Sequence, residues 1–281
     1  MEVVGGYRES IVTTMKKNCI AVVSANMGGY DTVKPVPRYE PGIDYFYISD
    51  RDDVLTEAAL QGWMPLKCDW STIEVPAWAE HAPDRYRAKV IKLAPWAFPQ
   101  EKYRHYLWID SSITLLDGWW QSALNHLGSH DILLHSHRNR NSVYEEAAFS
   151  MRMVKYEAEQ NSLASALEQM ATGLNIPLIS GLYETGFILR RHTATQDDLA
   201  RIWWQAQETY RTTQDQVTFC IALWEAQLDV AVFPFTLPNV GKQSQILALD
   251  AHNETKRYGT DSNKNDSALH KEHHNTSKEG V

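Results

Sequence analysis

The sequence predicts a single α/β domain built on a mostly parallel sheet flanked by helices. Three observations lead there. Short apolar runs rich in β-branched residues recur along the chain and close on glycine, aspartate or histidine, as strands buried on both faces do. Segments of helical periodicity stand among those runs. Strands alternating with helices build parallel sheets.

"CIAVVSANMGGYD" (Cys19 to Asp31) is a buried strand running into a backbone-permissive loop at Gly28 and Gly29. "IDYFYISD" repeats the plan and ends on Asp50. "APDRYRAKVIKLAPWAFP" is a helix with Pro83 in its first turn and Pro95 as its stop. "YRHYLWIDSSITLL" is a third strand and "SHDILLHSH" a fourth. A long helical stretch runs from Val143 to Gly173, and "GLYETGFILRRH" has strand character. "TQDDLARIWWQAQETY" and "QDQVTFCIALWEAQ" are two helices, and "DVAVFPFTLP" is a late strand. The reading places the domain at 1–241 and a polar tail at 242–281, too poor in large apolar groups to offset ordering entropy and therefore disordered.

Of the 281 residues 43% are hydrophobic and 22% charged, enough for a globular core. The net charge of −8 gives no whole-protein attraction to nucleic acid or anionic lipid. Cys19, Cys68 and Cys220 form no CxxC pair, so free and mostly buried thiols in a reducing compartment are expected. The N-terminus lacks the apolar core of a signal peptide, and no apolar run suits a membrane span. The expectation is a soluble, cytoplasmic protein.

In parallel sheets ligands bind beyond the carboxyl ends of the strands. Asn26, Asp50, Asp110 and His135 all fall near such ends. In "YLWIDSSITLLDGWW" an apolar run is broken by Asp110 and two serines. A buried carboxylate is costly unless it is paired, hydrogen-bonded or bound to a cation. Asp110 suits a hard divalent cation that also grips phosphates, or it caps a turn. Arg85, Lys89 and Lys92 are four and three residues apart, on one helix face. That face either clamps a diphosphate or is solvated.

"HSHRNRNSVYEEA" gathers His135, His137, Arg138, Arg140, Tyr144, Glu145 and Glu146. Imidazoles two apart share a strand face and can complete a metal shell or hold an acceptor; equally, the two glutamates are favourable charge in a first helical turn. Glu184 lies among Gly181, Thr185 and Gly186, in a loop that backbone-close ligands can approach. Asp215 stands at a helix start, as an N-cap or as a partner or base for an acceptor hydroxyl. Trp119, Trp120, Trp203 and Trp204 either stack on sugars or fill the core.

In order, "RYRAKVIKL", "YLWIDSSITL", "HRNRNSVYEEA", "GLYETGFILRRH", "IWWQAQ" and "QDQVTF" resemble a family of glycosyltransferases long catalogued as a domain of unknown function, with plant cell-wall and bacterial members. The resemblance covers about Ile20 to Pro238 and lies in the order of the motifs. It implies a GT-A-like, Rossmann-related fold joining a nucleotide half to an acceptor half. It also implies Asp110 as the metal or nucleotide-sugar aspartate, with Ser112 where an Asp-x-Asp element has its second carboxylate. Arg85, Lys89 and Lys92 would stand near the donor phosphates. His137, Arg138, Glu145 and Glu146 would form a cluster near acceptor or sugar, with Glu184, Arg190, Asp215 and Gln216 close by.

The expected function is transfer of a sugar from a nucleotide-diphosphate sugar to a carbohydrate or glycoconjugate hydroxyl, aided by Mn2+ or Mg2+ on Asp110 and His137. If the reaction inverts, Asp215 is the first choice of base and Glu184 the second. Two alternatives stay open. A nucleotidyltransferase would carry a glycine-rich phosphate loop, of which "NMGGYD" is a weak version. A catalytically silent carbohydrate-binding protein would fit the missing second aspartate.

Overall fold

The computed structural model describes residues 19–69, 73–99 and 102–252. The N-terminal segment read for a leader, and the tail beyond residue 252, lie outside the described residues. The first strand, β1 (Ile20–Ala25), is buried throughout and pairs in parallel with β2 (Ile43–Ser49). Helix α1 (Asp52–Leu60) leads to β3 (Met64–Lys67), which extends the parallel set. Helix α2 (Pro83–Leu93) begins on Pro83, and a 3₁₀ turn at Pro95–Ala97 follows it. Both prolines act as the sequence predicts.

The "YLWIDSSITLL" stretch is two strands rather than one. β4 (His105–Ile109) joins the main sheet, and β5 (Ile113–Leu115) turns away into a small antiparallel one. The break is the Asp110–Ser112 turn, where Ile113 N donates to Asp110 O. Then come α3 (Trp119–Leu127) and β6 (Ile132–Ser136). The stretch read as one long helix is α4 (Val143–Ser150), a 3₁₀ segment (Val154–Glu159) and α5 (Gln160–Thr172), capped by Gly173. β7 (Tyr183–Arg191), α6 (Ala194–Tyr210), α7 (Asp215–Ala226) and the two-residue β8 (Ala231–Val232) follow.

β10 (Leu247–Leu249) pairs antiparallel with both β5 and β9 (Lys242–Gln243) and stands between them. This first part of the expected tail belongs to the fold, because the apolar side chains of Ile246, Leu247 and Leu249 join the core.

The main sheet has the order β3-β2-β1-β4-β7-β6-β8. Its pairs are parallel except those of β7, which runs against both β4 and β6. Alternation along the strands divides two cores. Val22, Tyr45, Leu107 and Phe187 pack on one face with α1, α3 and the small sheet. Val23, Phe46, Trp108 and Ile188 pack on the other with α2, α6 and α7. A third cluster joins α4, α5, α6 and α7. Trp119 and Trp203 are core residues, at 1% and 0% exposure. The three cysteines are free and two are buried, as expected. Among the described residues no helix is long and apolar enough to cross a membrane.

Candidate active site

The carboxyl ends of β1 and β4 carry the residues of interest. At the end of β1, Gly28 adopts φ +69°, and a Cβ there would collide with the Asp84 carboxylate. Glycine thus lets the start of α2 close on the β1 loop. Between them opens a cavity of about 600 Å³, lined by Met27, Gly28, Tyr30, Asp84, Arg85 and Lys155 among others. Arg85 lies over the Tyr156 ring at 5.0 Å and donates to Lys155 O at 2.9 Å. Burial, with Asp50 nearby, raises the Asp84 carboxyl above its ordinary value.

One and two turns further along α2, Lys89 and Lys92 reach inward. Helical side chains tilt toward the helix N-terminus, which carries the Lys92 ammonium back to the strand ends. Its Nζ lies 3.1 Å from Asp110 Oδ1 and 2.6 Å from Asp215 Oδ2. Lys89 Nζ meets the same Asp215 oxygen at 2.7 Å, and Thr185 Oγ1 donates to it at 3.1 Å. Trp108, two residues before Asp110 on one strand face, donates Nε1 to Asp110 Oδ1 at 2.8 Å. Burial works against the charge on both aspartates, and the two ammoniums overcome it, so both pKa values lie below the ordinary one. The Lys92 pKa rises despite burial, because Asp110 and Asp215 surround it.

A second cluster lies beside the first. Glu184 accepts from Arg138 Nε at 2.9 Å and from Gln216 Nε2 at 3.3 Å. Glu146, 2% exposed, takes Arg140 Nε at 2.6 Å and Gln214 Nε2 at 2.7 Å. The His137 ring lies within 3.8 Å of Glu146 and 3.9 Å of Glu184, and burial lowers its pKa. The start of α7 joins the clusters: Gln214 holds Glu146, Asp215 holds the lysines, and Gln216 holds Glu184. Glu159 anchors that segment from below, accepting from Thr212 Oγ1, Thr213 N and Thr213 Oγ1, with His81 Nε2 at 2.9 Å.

A profile of the family described as TOD1/MUCI70, glycosyltransferase-like domain, matches residues 6–252. The chain belongs to that family. The resemblance read from the ordered motifs is thereby borne out. No curated protein sequence matches it. Similar solved structures include the galactosyltransferase LgtC in complex with donor and acceptor sugar analogues, at 11% identity and TM-score 0.43, covering 75% of this chain and 72% of that one. Mouse xyloside xylosyltransferase 1 is similar at 11% identity and TM-score 0.44, covering 78% and 85%. Glucosyl-3-phosphoglycerate synthase from Mycobacterium tuberculosis, in complex with Mn2+ and uridine diphosphate, is similar at 13% identity and TM-score 0.36, covering 83% and 75%. The assignment rests on the family match.

Within this TOD1/MUCI70-family chain the expected residues part company. Arg85, Lys89 and Lys92 stand along α2, with Asp110 at the strand end it faces and Asp215 at the start of α7. His137, Arg138, Glu146, Glu184 and Gln216 form the neighbouring cluster. Arg190, expected near sugar or acceptor, is not with them. Its guanidinium donates to Leu93 O at 2.7 Å and to Lys92 O, and it is 0% exposed. The reason is direction: β7 is antiparallel to β4, with Arg190 opposite Tyr106 while Asp110 N reaches Gly186 O. At about 3.3 Å per residue, its later half lies far from the strand ends.

Glu145 is exposed, and its Oε2 accepts from Asn141 N at 3.4 Å while Ser142 caps α4, which is the helix-start role. Ser112 is buried and its carbonyl accepts from Asp250 N. Asp215 is 4% exposed, and one of its oxygens takes three donors. A carboxylate so stabilised binds protons weakly, so its surroundings suit a counter-ion better than a base.

The expected metal pair also separates, since Asp110 and His137 contact different partners. Among the described residues no group of three or more His, Cys, Asp or Glu is arranged to hold a metal ion. This donor set does not fit a protein-held divalent ion. Sequence reasoning missed Trp108 and Gln214, and it named Thr185 and Gly186 only as the surroundings of Glu184. Period two placed Trp108 beside Asp110, and a glycine inside a strand often marks a close approach.

Proposed function

We propose that this chain transfers a sugar from a nucleotide-diphosphate sugar to an acceptor hydroxyl. The observation that carries the reading is the cavity between the β1 loop and α2, opening beside Arg85 on the helix whose next turns carry Lys89 and Lys92. The nucleoside lies against Met27, Gly28 and Tyr30, and the diphosphate lies toward Arg85. Lys155 O uses one of the five N–H donors of the Arg85 guanidinium, and a planar fork suits phosphate oxygens. Cations placed where the leaving diphosphate gains charge lower the barrier to its departure.

The sugar then points along α2 toward Lys89 and the strand-end carboxylate Asp110. The acceptor enters between the Glu184 segment and the start of α7, where Gln216 and Arg138 hold the Glu184 carboxylate. Membership of a glycosyltransferase-like family supports the same chemistry.

The test is incubation with each common nucleotide sugar and a panel of glycans, following release of nucleoside diphosphate. Arg85→Ala is expected to reduce release at least tenfold, chiefly through weaker donor binding. Consumption of a nucleoside triphosphate with release of pyrophosphate would assign a nucleotidyltransferase instead.

A further inference from the structure

We propose that Lys92 is the built-in cation of this site: it orients Asp110 as a receptor for hydroxyls of the donor sugar, and the donor binds without a divalent ion. The inference rests on the glycosyl-transfer reading above and names how that site holds its sugar.

The two oxygens of Asp110 are not equivalent. Oδ1 is engaged, by Lys92 Nζ at 3.1 Å and Trp108 Nε1 at 2.8 Å. The carboxylate side chain nevertheless keeps 34% of its surface exposed. Oδ2 lies 3.3 Å from where a Cβ on Gly186 would stand, so any side chain at that position would crowd it. Glycine in the interior of β7 is otherwise a cost to the strand, and here it keeps one carboxylate oxygen approachable.

Charge accounting points the same way. Lys89 and Lys92 balance Asp110 and Asp215. With these two cations already paired to them, Asp110 and Asp215 keep no net negative charge of their own to draw in a divalent ion. The ion would also want six or more oxygen ligands. The serines that follow Asp110 are both 4% exposed, and the Ser111 hydroxyl is spent on Asp31.

An ionised carboxylate with one open oxygen is an acceptor only. It matches neighbouring sugar hydroxyls, and such charge-assisted bonds are strong and directional. Lys92 acts through Asp110 and is a positioning residue; the group that meets the sugar is Asp110.

The test is titration calorimetry of the full chain with UDP, GDP, UDP-glucose and GDP-mannose, in EDTA and in Mn2+. The expected result is that one diphosphate binds with an affinity unchanged within about twofold by Mn2+, and that its sugar conjugate binds more tightly. Asp110→Asn and Gly186→Ala should each remove about tenfold of the sugar's advantage, the worth of one charge-assisted contact. Gly186→Ala leaves the charge network intact, so a folding defect in the other variant would not hide the answer. Diphosphate affinity that rises tenfold or more with Mn2+ and loses that rise in Asp110→Asn would overturn the inference while leaving sugar transfer standing. Failure of every nucleotide to bind, with or without Mn2+, would remove the transfer reading and this inference together.

Discussion

Two buried cations meet at the end of α2, Lys92 on the helix itself and Arg190 on β7, and they differ in their partners. Lys92 and Arg190 are 1% and 0% exposed. Arg190 meets the carbonyls of Lys92 and Leu93 at the end of α2, where the helix dipole favours positive charge. It has no carboxylate partner in that contact, and burial pulls its pKa down to about 9. Lys92 meets two carboxylates, and its pKa is held up against burial. Backbone carbonyls around Arg190 mark a helix stop, whereas the carboxylates around Lys92 tie the strand ends to the start of α7. The type of partner separates scaffold from site where burial does not.

The largest expected effect breaks the comparison if it fails. Lys92→Met leaves buried Asp215 and half-buried Asp110 short of a counter-ion and should destabilise by about 3 kcal/mol, the low end for a buried pair. Arg190→Met leaves helix-end carbonyls without a donor and should cost about 1–3 kcal/mol. Urea unfolding of both variants gives the order, and an Arg190 cost equal to or above that of Lys92 would dissolve the distinction.

The next effect is one of pH. The folded pKa of Asp215 lies below its ordinary value of 3.8, so as acid is added the unfolded chain takes up that proton first. The stabilisation is complete above about pH 5 and drains away as the pH falls toward the folded pKa. Thermal midpoints from pH 6 to pH 3 should therefore fall less steeply in Asp215→Asn than in the parent. Parallel curves would show that the lysines do not hold that carboxylate in solution.

The smallest effect sharpens the boundary of the site. Glu145→Ala removes a helix-start contact and should cost about 0.5–1 kcal/mol. Nucleotide-sugar turnover should stay within twofold of the parent, and a larger loss would return Glu145 to the acceptor cluster.

Much of the sheet was legible because β1, β2, β4 and β6 are short apolar runs with punctuated ends, and α2 because prolines mark both of its ends. The direction of β7 was not, since side chains alternate identically in parallel and antiparallel strands. The misplacement of Arg190 follows from that alone. The α3 helix did leave a signal: Trp119, Ala123 and Leu127 are buried at intervals of four, bracketed by Gly118 and Gly128. The site residues Lys89, Lys92, Asp110 and Asp215 were legible as unexpected charges near strand and helix ends. Their pairing was not, because it spans 123 residues between Lys92 and Asp215.

Three neighbours on one helical turn, Gln214, Asp215 and Gln216, grip three separate groups. That turn is an axle. A shift of it would move the Glu184 contact and the lysine contact together, so covalently linked residues hold the two clusters in one register.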